Sequence, residues 1–266
     1  MPCALYCCGY SVKHDFLVVG GNCFMFVMQL KRDESRLERM YVFKEHTDFV
    51  SQVVCTPNGR IFSCGYDGRI CAYESNIEEK LVVMTAPAGR ARASARCHDG
   101  AIACAAFNPE PAAQTLITGG FDMTVKVWNH DALTAHAQFL PSHTFSLPAA
   151  ATALCYLPAT RALWVTAAAG GPPGGGPIIY DPRTGTNLTD FVPPPAGSDP
   201  RAAPGDRLAR VVADGREAVG LSEARALCVW RYNPWACVSV VVGHTDWVEA
   251  VARVPDASLE IGRAHV

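Results

Sequence analysis

His46, Ser63 and Asp67 form one set of side chains that could do chemistry, and His98, Thr118 and Asp122 form a second. An imidazole, a hydroxyl and a carboxylate are the parts of a nucleophilic triad, in which the acid orients the base and the base takes the hydroxyl proton. They are equally the parts of a buried hydrogen-bonded set, because a carboxylate leaves water only when donors surround it. The two sets share one spacing. In each, the hydroxyl stands four residues before the Asp, and an aromatic, Tyr73 or Trp128, stands six after it. The elements that carry these residues decide between the two readings.

The stretch from Cys97 to Asn129 organises the rest of the chain. After His98, an alternating apolar run covers 102–107 and Asn108-Pro109 turns the chain. A second run covers 116–118, Gly119-Gly120-Phe121-Asp122 reverses it, and 124–128 alternates again, Val125 and Val127 against Thr124, Lys126 and Trp128. Short alternating runs separated by turn residues predict an antiparallel meander. The same order occurs one repeat earlier. Runs at 49–55, 61–63 and 70–73 are separated by Thr56-Pro57-Asn58-Gly59 and Cys64-Gly65-Tyr66-Asp67-Gly68.

A His before the first run, an acidic turn after the second and an aromatic in the third resemble the WD-repeat family of β-propellers. Blades of that family carry a GH near the start and an aromatic–acidic pair at the end. The resemblance implies that the His, the hydroxyl, the Asp and the third-strand aromatic form a hydrogen-bonded set inside a blade. By that implication His98, Thr118, Asp122 and Trp128 are one structural tetrad. His46, Ser63, Asp67 and Tyr73 are another, with Tyr in the place of Trp. The repeated spacing then has a structural explanation, and no catalytic residue is assigned.

The expected fold class is all-β: a β-propeller segment of four-stranded antiparallel blades, about five of them plus the start of a sixth, forming an incomplete ring. Blades are placed at about 4–43, 47–86, 99–140, 148–192 and 208–242, with a partial one at 245–259, all within one propeller domain, 1–259. The first lacks the signature, and its charged stretch 31–39 is read as a solvated loop or one helical turn. The second ends on an outer strand at 81–84, followed by a small-residue basic loop, 87–96, holding Arg90, Arg92 and Arg96. The fourth has lost the turn Asp. Its Gly/Pro run 170–177 is a connection, since it lacks the GK[ST] ending and the following helix of a phosphate loop. The fifth keeps an aromatic, Trp230, with no Asp six residues before it. The sixth opens with Gly243-His244-Thr245-Asp246-Trp247 and then stops. Residues 260–266 are read as a non-native tail, because Ile261 to Val266 can be encoded by the start of a common sequencing-library adapter. The natural chain is therefore expected to continue, and the resemblance implies a ring of seven blades.

Composition bounds the function. Hydrophobic residues at 49% of the 266 supply a core, and a formal charge of −2 creates no field that favours nucleic acid or an acidic membrane. The longest apolar stretch, 16–30, is broken by Gly20-Gly21-Asn22 and is too short to span a bilayer. The N-terminus has no basic segment leading into a long apolar one, so no secretory signal is read, and a cytoplasmic location is expected, with the nucleus as a second option. The twelve Cys lie mostly in strand-like runs, where Cys acts as a small hydrophobe; without a secretory signal, free thiols are expected. No CxxC pair occurs, and neither metal nor cofactor is expected.

The leading function is a non-catalytic scaffold or adaptor that docks other proteins or peptides, as a subunit of a multiprotein complex, on the face made by loops between blades and between second and third strands. Tyr66 and Phe121, each just before the turn Asp, are candidate anchors, as are Phe49 and Trp247, each three residues after a blade His. Packing against the neighbouring blade is the competing reading, preferred for Phe49 and Trp247. A second class is a reader of acidic or phosphorylated peptides, using Arg90, Arg92 and Arg96. A third, an enzyme built on the propeller, has no metal-spaced His cluster, nucleophile elbow or paired carboxylates behind it.

Overall fold

The computed structural model of the chain describes residues 4–73, 75–78, 81–84, 93–110, 114–129, 140–158, 160–168, 178–188, 208–213, 217–222, 226–231, 236–242, 250–252 and 260–262. The chain divides into two compact units, Met1–Thr144 and Phe145–Val266.

In the first unit, β1 (Leu5–Ser11), β2 (Phe16–Gly21), β3 (Met25–Lys31) and β4 (Arg36–Phe43) form one antiparallel sheet in sequence order, with a 3-10 turn at Arg32–Glu34. The second sheet runs β5 (Val50–Cys55), β6 (Ile61–Gly65), β7 (Arg69–Tyr73). Between β7 and its fourth strand the chain makes a separate hairpin, β8 (Ser75–Glu78) with β9 (Leu81–Met84), and β10 (Ala93–Arg96) then pairs with β7. The third sheet is β11 (Ile102–Asn108), β12 (Thr115–Gly120), β13 (Thr124–Asn129) and β14 (His143–Ser146), the last strand spanning the division between the units.

In the second unit, β15 (Ala151–Leu157), β16 (Ala162–Ala167) and β17 (Ile178–Tyr180) form a three-stranded sheet among the described residues. A four-stranded sheet follows, β18 (Leu208–Ala213), β19 (Glu217–Ser222), β20 (Ala226–Arg231) and β21 (Ala236–Val242). A last pair is β22 (Ala250–Ala252) with β23 (Glu260–Gly262).

Packing in the first unit follows from the two-residue period of a strand. On β6, Ile61 joins Phe16, Val18, Met25 and Val27 of the first sheet in one core, while Phe62 and Cys64 join Ile102, Leu116 and Trp128 of the third in another. On β7, Cys71 and Tyr73 face the first core and Ile70 and Ala72 the second. The second sheet is thus covered on both faces, which is why β6 is buried at every residue and reads as an unbroken apolar run. Two side chains in that run are small or hydroxylated, Ser63 and Cys64, because two neighbouring sheets have to approach it.

One irregularity repeats in every complete sheet. The pairing of first with second strand shifts register between Leu5 and Cys7, Val50 and Gln52, Ile102 and Cys104, Ala151 and Ala153, and Leu208 and Arg210. A bulge at one fixed place adds twist to each sheet at the same point. The repeat is therefore more uniform in backbone than in sequence: the bulge is present in sheets that lack the His–Asp signature.

The structure corrects several boundaries. The outer strand of the second sheet is Ala93–Arg96, not 81–84, so Arg96 belongs to a strand and not to a loop. The apolar run at 81–84 does form a strand, but it pairs with Ser75–Glu78 across a short connection, which costs less closure entropy than returning to the sheet. The third sheet extends past 140 to include His143–Ser146. The charged stretch 31–39 is a 3-10 turn and then the start of β4, whose residues 36–39 pair with β3. Residues 260–262 pair with β22, so these three residues form a strand of the last sheet. A fourth strand at 188–192 and the residues 263–266 lie outside the described residues, apart from Leu188, which is not in a strand.

The strand assignment of the second sheet is directly testable. Replacing Ser75–Met84 by a Gly-Ser linker should leave amide protection of Arg69–Tyr73 unchanged. Replacing Ala93–Arg96 by four glycines should reduce it by about 2 kcal/mol or more in hydrogen exchange, at about 0.5–1 kcal/mol per residue. Equal protection in both variants would remove β10 from the sheet.

Candidate functional site

The His in each of the second and third sheets lies in the connection entering the first strand, the hydroxyl on the second strand, the Asp in the following turn and the aromatic at the end of the third strand. The structure brings all four together twice. His98 Nδ1 is 3.0 Å from both oxygens of Asp122, and its Nε2 is 2.8 Å from Thr118 Oγ1. The Trp128 indole donates to the same Oγ1 at 2.8 Å. Asp122 also accepts from the backbone N–H of Asp99 and Thr124 and from the Thr124 hydroxyl. His46 Nδ1 is 3.0 and 3.1 Å from the Asp67 oxygens and its Nε2 is 2.8 Å from Ser63 Oγ. Tyr73 OH lies 3.5 Å from Ser63 Oγ and 3.4 Å from a Glu45 oxygen.

Ionisation follows the surroundings. Burial alone would raise the carboxyl of Asp122, but the hydrogen bonds from His98 and Thr124 hold it below the usual range. Asp67 is lowered in the same way by His46 and by the backbone N–H groups of Thr47 and Arg69. The imidazoles diverge. Burial pushes His98 below 6.5 against the pull of Asp122. His46 is raised to about 9, because Asp67 and the neighbouring Cys71 outweigh its burial.

These sets cannot perform the triad's chemistry. Ser63 and Thr118 are fully buried, and their oxygens are committed on both sides. What the sets do is fix loops: Asp67 and Asp122 each tie the residue after the His, Thr47 and Asp99, to the turn between second and third strands.

A further residue belongs to each set, and sequence reading did not single it out. A Cβ on Gly120 would stand 2.5 Å from His98 Nδ1 and 2.6 Å from Asp122, and one on Gly65 2.5 Å from His46 Nδ1 and 2.8 Å from Asp67. The imidazole lies flat over the strand end, and only glycine lets it. The fourth sheet confirms the dependence. Matching its register to the third places Leu147, Val165 and Ala167 where His98, Thr118 and Gly120 stand, with Tyr180 in the place of Trp128. With no His present, a methyl group is accommodated, and all four positions are buried.

Next to these sets lies a row of aromatic rings. Tyr6 and Phe49 have centroids 4.8 Å apart, Phe49 and Tyr66 6.0 Å, and Tyr66 and Phe121 5.7 Å. Tyr6, Tyr66 and Phe121 are 44%, 41% and 47% exposed; Phe49 is half-buried. Tyr66 N–H donates to Phe49 O and Phe121 N–H to Ala101 O, so each ring is held at its backbone by the loop below it. Tyr6 was not singled out from the sequence, because no motif marks it. Of the three arginines, Arg96 is exposed and its guanidinium donates to the carbonyls of His98 and Asp99. Arg90, Arg92 and Trp247 lie outside the described residues. Among the described residues, no three His, Cys, Asp or Glu side chains are grouped to hold a metal ion, and no helix is long and apolar enough to cross a membrane. The described cysteines are free thiols, and burial pushes those of Cys55 and Cys97 up to about 12.

The family description "WD domain, G-beta repeat" matches residues 37–74 and 89–129, the segments that carry the two tetrads. Each matched segment is a WD repeat that joins the last strand of one sheet to the first three of the next, β4 with β5–β7 and β10 with β11–β13. These four-stranded sheets are β-propeller blades, and the bulge and register of the other sheets repeat the same blade plan. A chain of a solved structure titled "Crystal Structure of Mitotic Checkpoint Complex" superposes with a TM-score of 0.71 at 16% identity, over 96% of this chain and 69% of that one. At that identity the likeness is one of fold. Solved chains that match number 1259, so the fold is shared too widely to name a partner. No curated protein matches the sequence.

Removing one member of a WD-repeat tetrad should cost more than its size suggests. Thr118→Val, near-isosteric, strands the Trp128 indole and His98 Nε2 and should lower stability by about 1–3 kcal/mol in urea unfolding. Gly120→Ala should cost about 1–3 kcal/mol by overpacking, whereas Ala167→Gly should cost only about 0.5–1 kcal/mol. Acid should weaken the third blade in two steps. Folded His98 resists a proton that the unfolded chain accepts, so stability falls as pH drops below 6.5. Asp122 adds a second loss as pH falls through its depressed value. Thermal melts from pH 7 down to pH 3 read both.

Proposed function

We propose that this WD-repeat chain is a non-catalytic scaffold that docks another protein or peptide on the aromatic row of its first unit, as a subunit of a multiprotein complex in the cytoplasm or nucleus. The observation that carries the reading is the row itself: Tyr6, Phe49, Tyr66 and Phe121 in ring contact, three of them more than two-fifths exposed. Large apolar side chains of few rotamers, held on a rigid backbone, lose little entropy when a partner covers them, which makes them good anchors. The buried sets beneath supply that rigidity and leave no hydroxyl or imidazole for catalysis. WD-repeat propellers are generally non-catalytic and commonly serve as interaction scaffolds, in agreement with this reading. Neither nucleic acid nor membrane is a favoured partner, because the formal charge of −2 provides no broad attraction to phosphate.

The test uses a partner captured with the purified chain and then measured by calorimetry. Tyr66→Ser with Phe121→Ser should weaken binding by about 2 kcal/mol or more, near thirtyfold, if the rings are hot spots. The unfolding midpoint should move by no more than about 0.5 kcal/mol for each exposed site. Unchanged affinity in a folded double variant would remove this face as the docking surface. A folding loss of several kcal/mol would show that the rings serve the core instead.

A further inference from the structure

Two differences between the second and third blades bear on one proton: Tyr73 for Trp128 within the tetrad, and Cys71 for Lys126 beside it. In the third blade, the Trp128 indole N–H can only donate. It donates to Thr118 Oγ1, so the Thr118 proton turns to its other partner, His98 Nε2, which must then accept it. His98 donates from Nδ1 to Asp122 and is a neutral imidazole. The positive charge near Asp122 comes from Lys126, four residues on, whose Nζ is 4.0 Å from the carboxylate.

In the second blade, a phenol replaces the indole, and a phenol can accept as well as donate. The Tyr73 hydroxyl donates to Glu45 at 3.4 Å and accepts from Ser63 at 3.5 Å, which leaves Ser63 Oγ to accept from His46 Nε2 at 2.8 Å. Nδ1 donates to Asp67. With those directions, each ring nitrogen of His46 faces an acceptor. The position that Lys126 holds in the third blade, four after the Asp, is held here by Cys71, a buried thiol. The groups that face His46 are Asp67 in the turn, Ser63 on β6 and Cys71 on β7, with Tyr73 and Glu45 behind Ser63.

We propose that the second blade is held by a buried imidazolium–carboxylate pair, His46 with Asp67, while the third is held by a neutral imidazole, and that Tyr73 in place of an indole and Cys71 in place of an ammonium decide the difference. The titration directions agree: His46 rises to about 9 and His98 falls below 6.5. The sign of the pH effect follows. A raised folded value gives the second blade stability that is complete below 6.5 and lost as pH rises toward about 9. Asp67 also accepts from Thr47 N–H at 2.9 Å, and Phe49 O accepts from Tyr66 N–H, so the loop that loosens is the one carrying the middle of the aromatic row. Alkaline pH should loosen the Phe49–Tyr66 end of that row before the Phe121 end.

The test is proton–nitrogen NMR of the whole purified chain with 15N-labelled histidine, from pH 5.5 to 10. At pH 7.5, one exchange-protected histidine should show both ring nitrogens protonated and should lose a proton near pH 9. Another should keep the neutral Nδ1–H form from pH 6.5 upward. Tyr73→Phe keeps the ring and removes the acceptor, which frees the Ser63 proton to turn to Nε2. The first histidine's midpoint should then fall by at least one pH unit, a tenfold or greater loss of proton affinity. Glu45→Gln, at a half-buried site, should move it the same way by less, and serves if Tyr73→Phe fails to fold. Wild-type spectra with no protected imidazolium at pH 7.5 would overturn the proposal without any variant. So would a midpoint that neither substitution moves.

Discussion

A buried histidine pressed against a buried aspartate is the constraint on which the first unit depends. An unpaired carboxylate in that position would cost several kcal/mol, and so would an imidazole with an orphaned nitrogen. Each therefore dictates its surroundings. The second nitrogen demands a hydroxyl on the second strand, the hydroxyl demands a partner at the end of the third, and the flat approach of the ring demands a glycine at Gly65 or Gly120. The carboxylate's remaining lone pairs gather backbone N–H groups from the next loop. One pair thereby ties together three strands and two connections that are more than twenty residues apart in sequence.

In the fourth blade the His, the hydroxyl and the glycine are replaced together, while an aromatic, Tyr180, stays at the position of Trp128. Leu147, Val165 and Ala167 stand at the positions of His98, Thr118 and Gly120, and all are buried. A half-satisfied polar network is worse than an apolar one, so the imidazole and the hydroxyl it needs leave the blade together. The second blade illustrates the same logic at one remove. Exchanging the indole for a phenol does not simply weaken the tetrad. It reverses the direction in which Ser63 can donate, and the network recovers its balance by engaging Glu45 and keeping a second proton on His46.

The tetrads were legible in the sequence because offsets of four and six residues from an Asp recur in two adjacent repeats, and few physical demands produce that recurrence. The meander strands were legible from their alternation. The outer strand of the second blade was not, because both 81–84 and 93–96 can form strands, and the more apolar of the two is the one that leaves the sheet for a local hairpin. Alternation reports that a segment is extended; it does not report its neighbour. The glycines were hidden for a different reason. Gly65 and Gly120 lie among other turn-like residues, and nothing in their type shows that an imidazole twenty residues upstream requires them. The bulge at the start of the first strand in five sheets was hidden too, because the bulged residues, Tyr6, Ser51, Ala103, Thr152 and Ala209, share no chemistry.

The placement of the aromatic row follows from the same constraint. Phe121 N–H donates to Ala101 O, Tyr66 N–H to Phe49 O and Ala168 N–H to Ala150 O, three equivalent hydrogen bonds at one register position. The backbone of that turn is therefore built the same way with or without a His–Asp pair beneath it. The side chain is not. Tyr and Phe occur where the turn is anchored by the pair, and an exposed alanine occurs in the fourth blade, where it is not. Core packing would favour an aromatic at all three positions, since the backbone is shared. Docking favours one only where an anchored turn holds the ring in place, because an anchor on a loose loop gives back in entropy what its contacts contribute. The co-occurrence of exposed rings with buried pairs therefore ties the polar interior of these blades to the face they present.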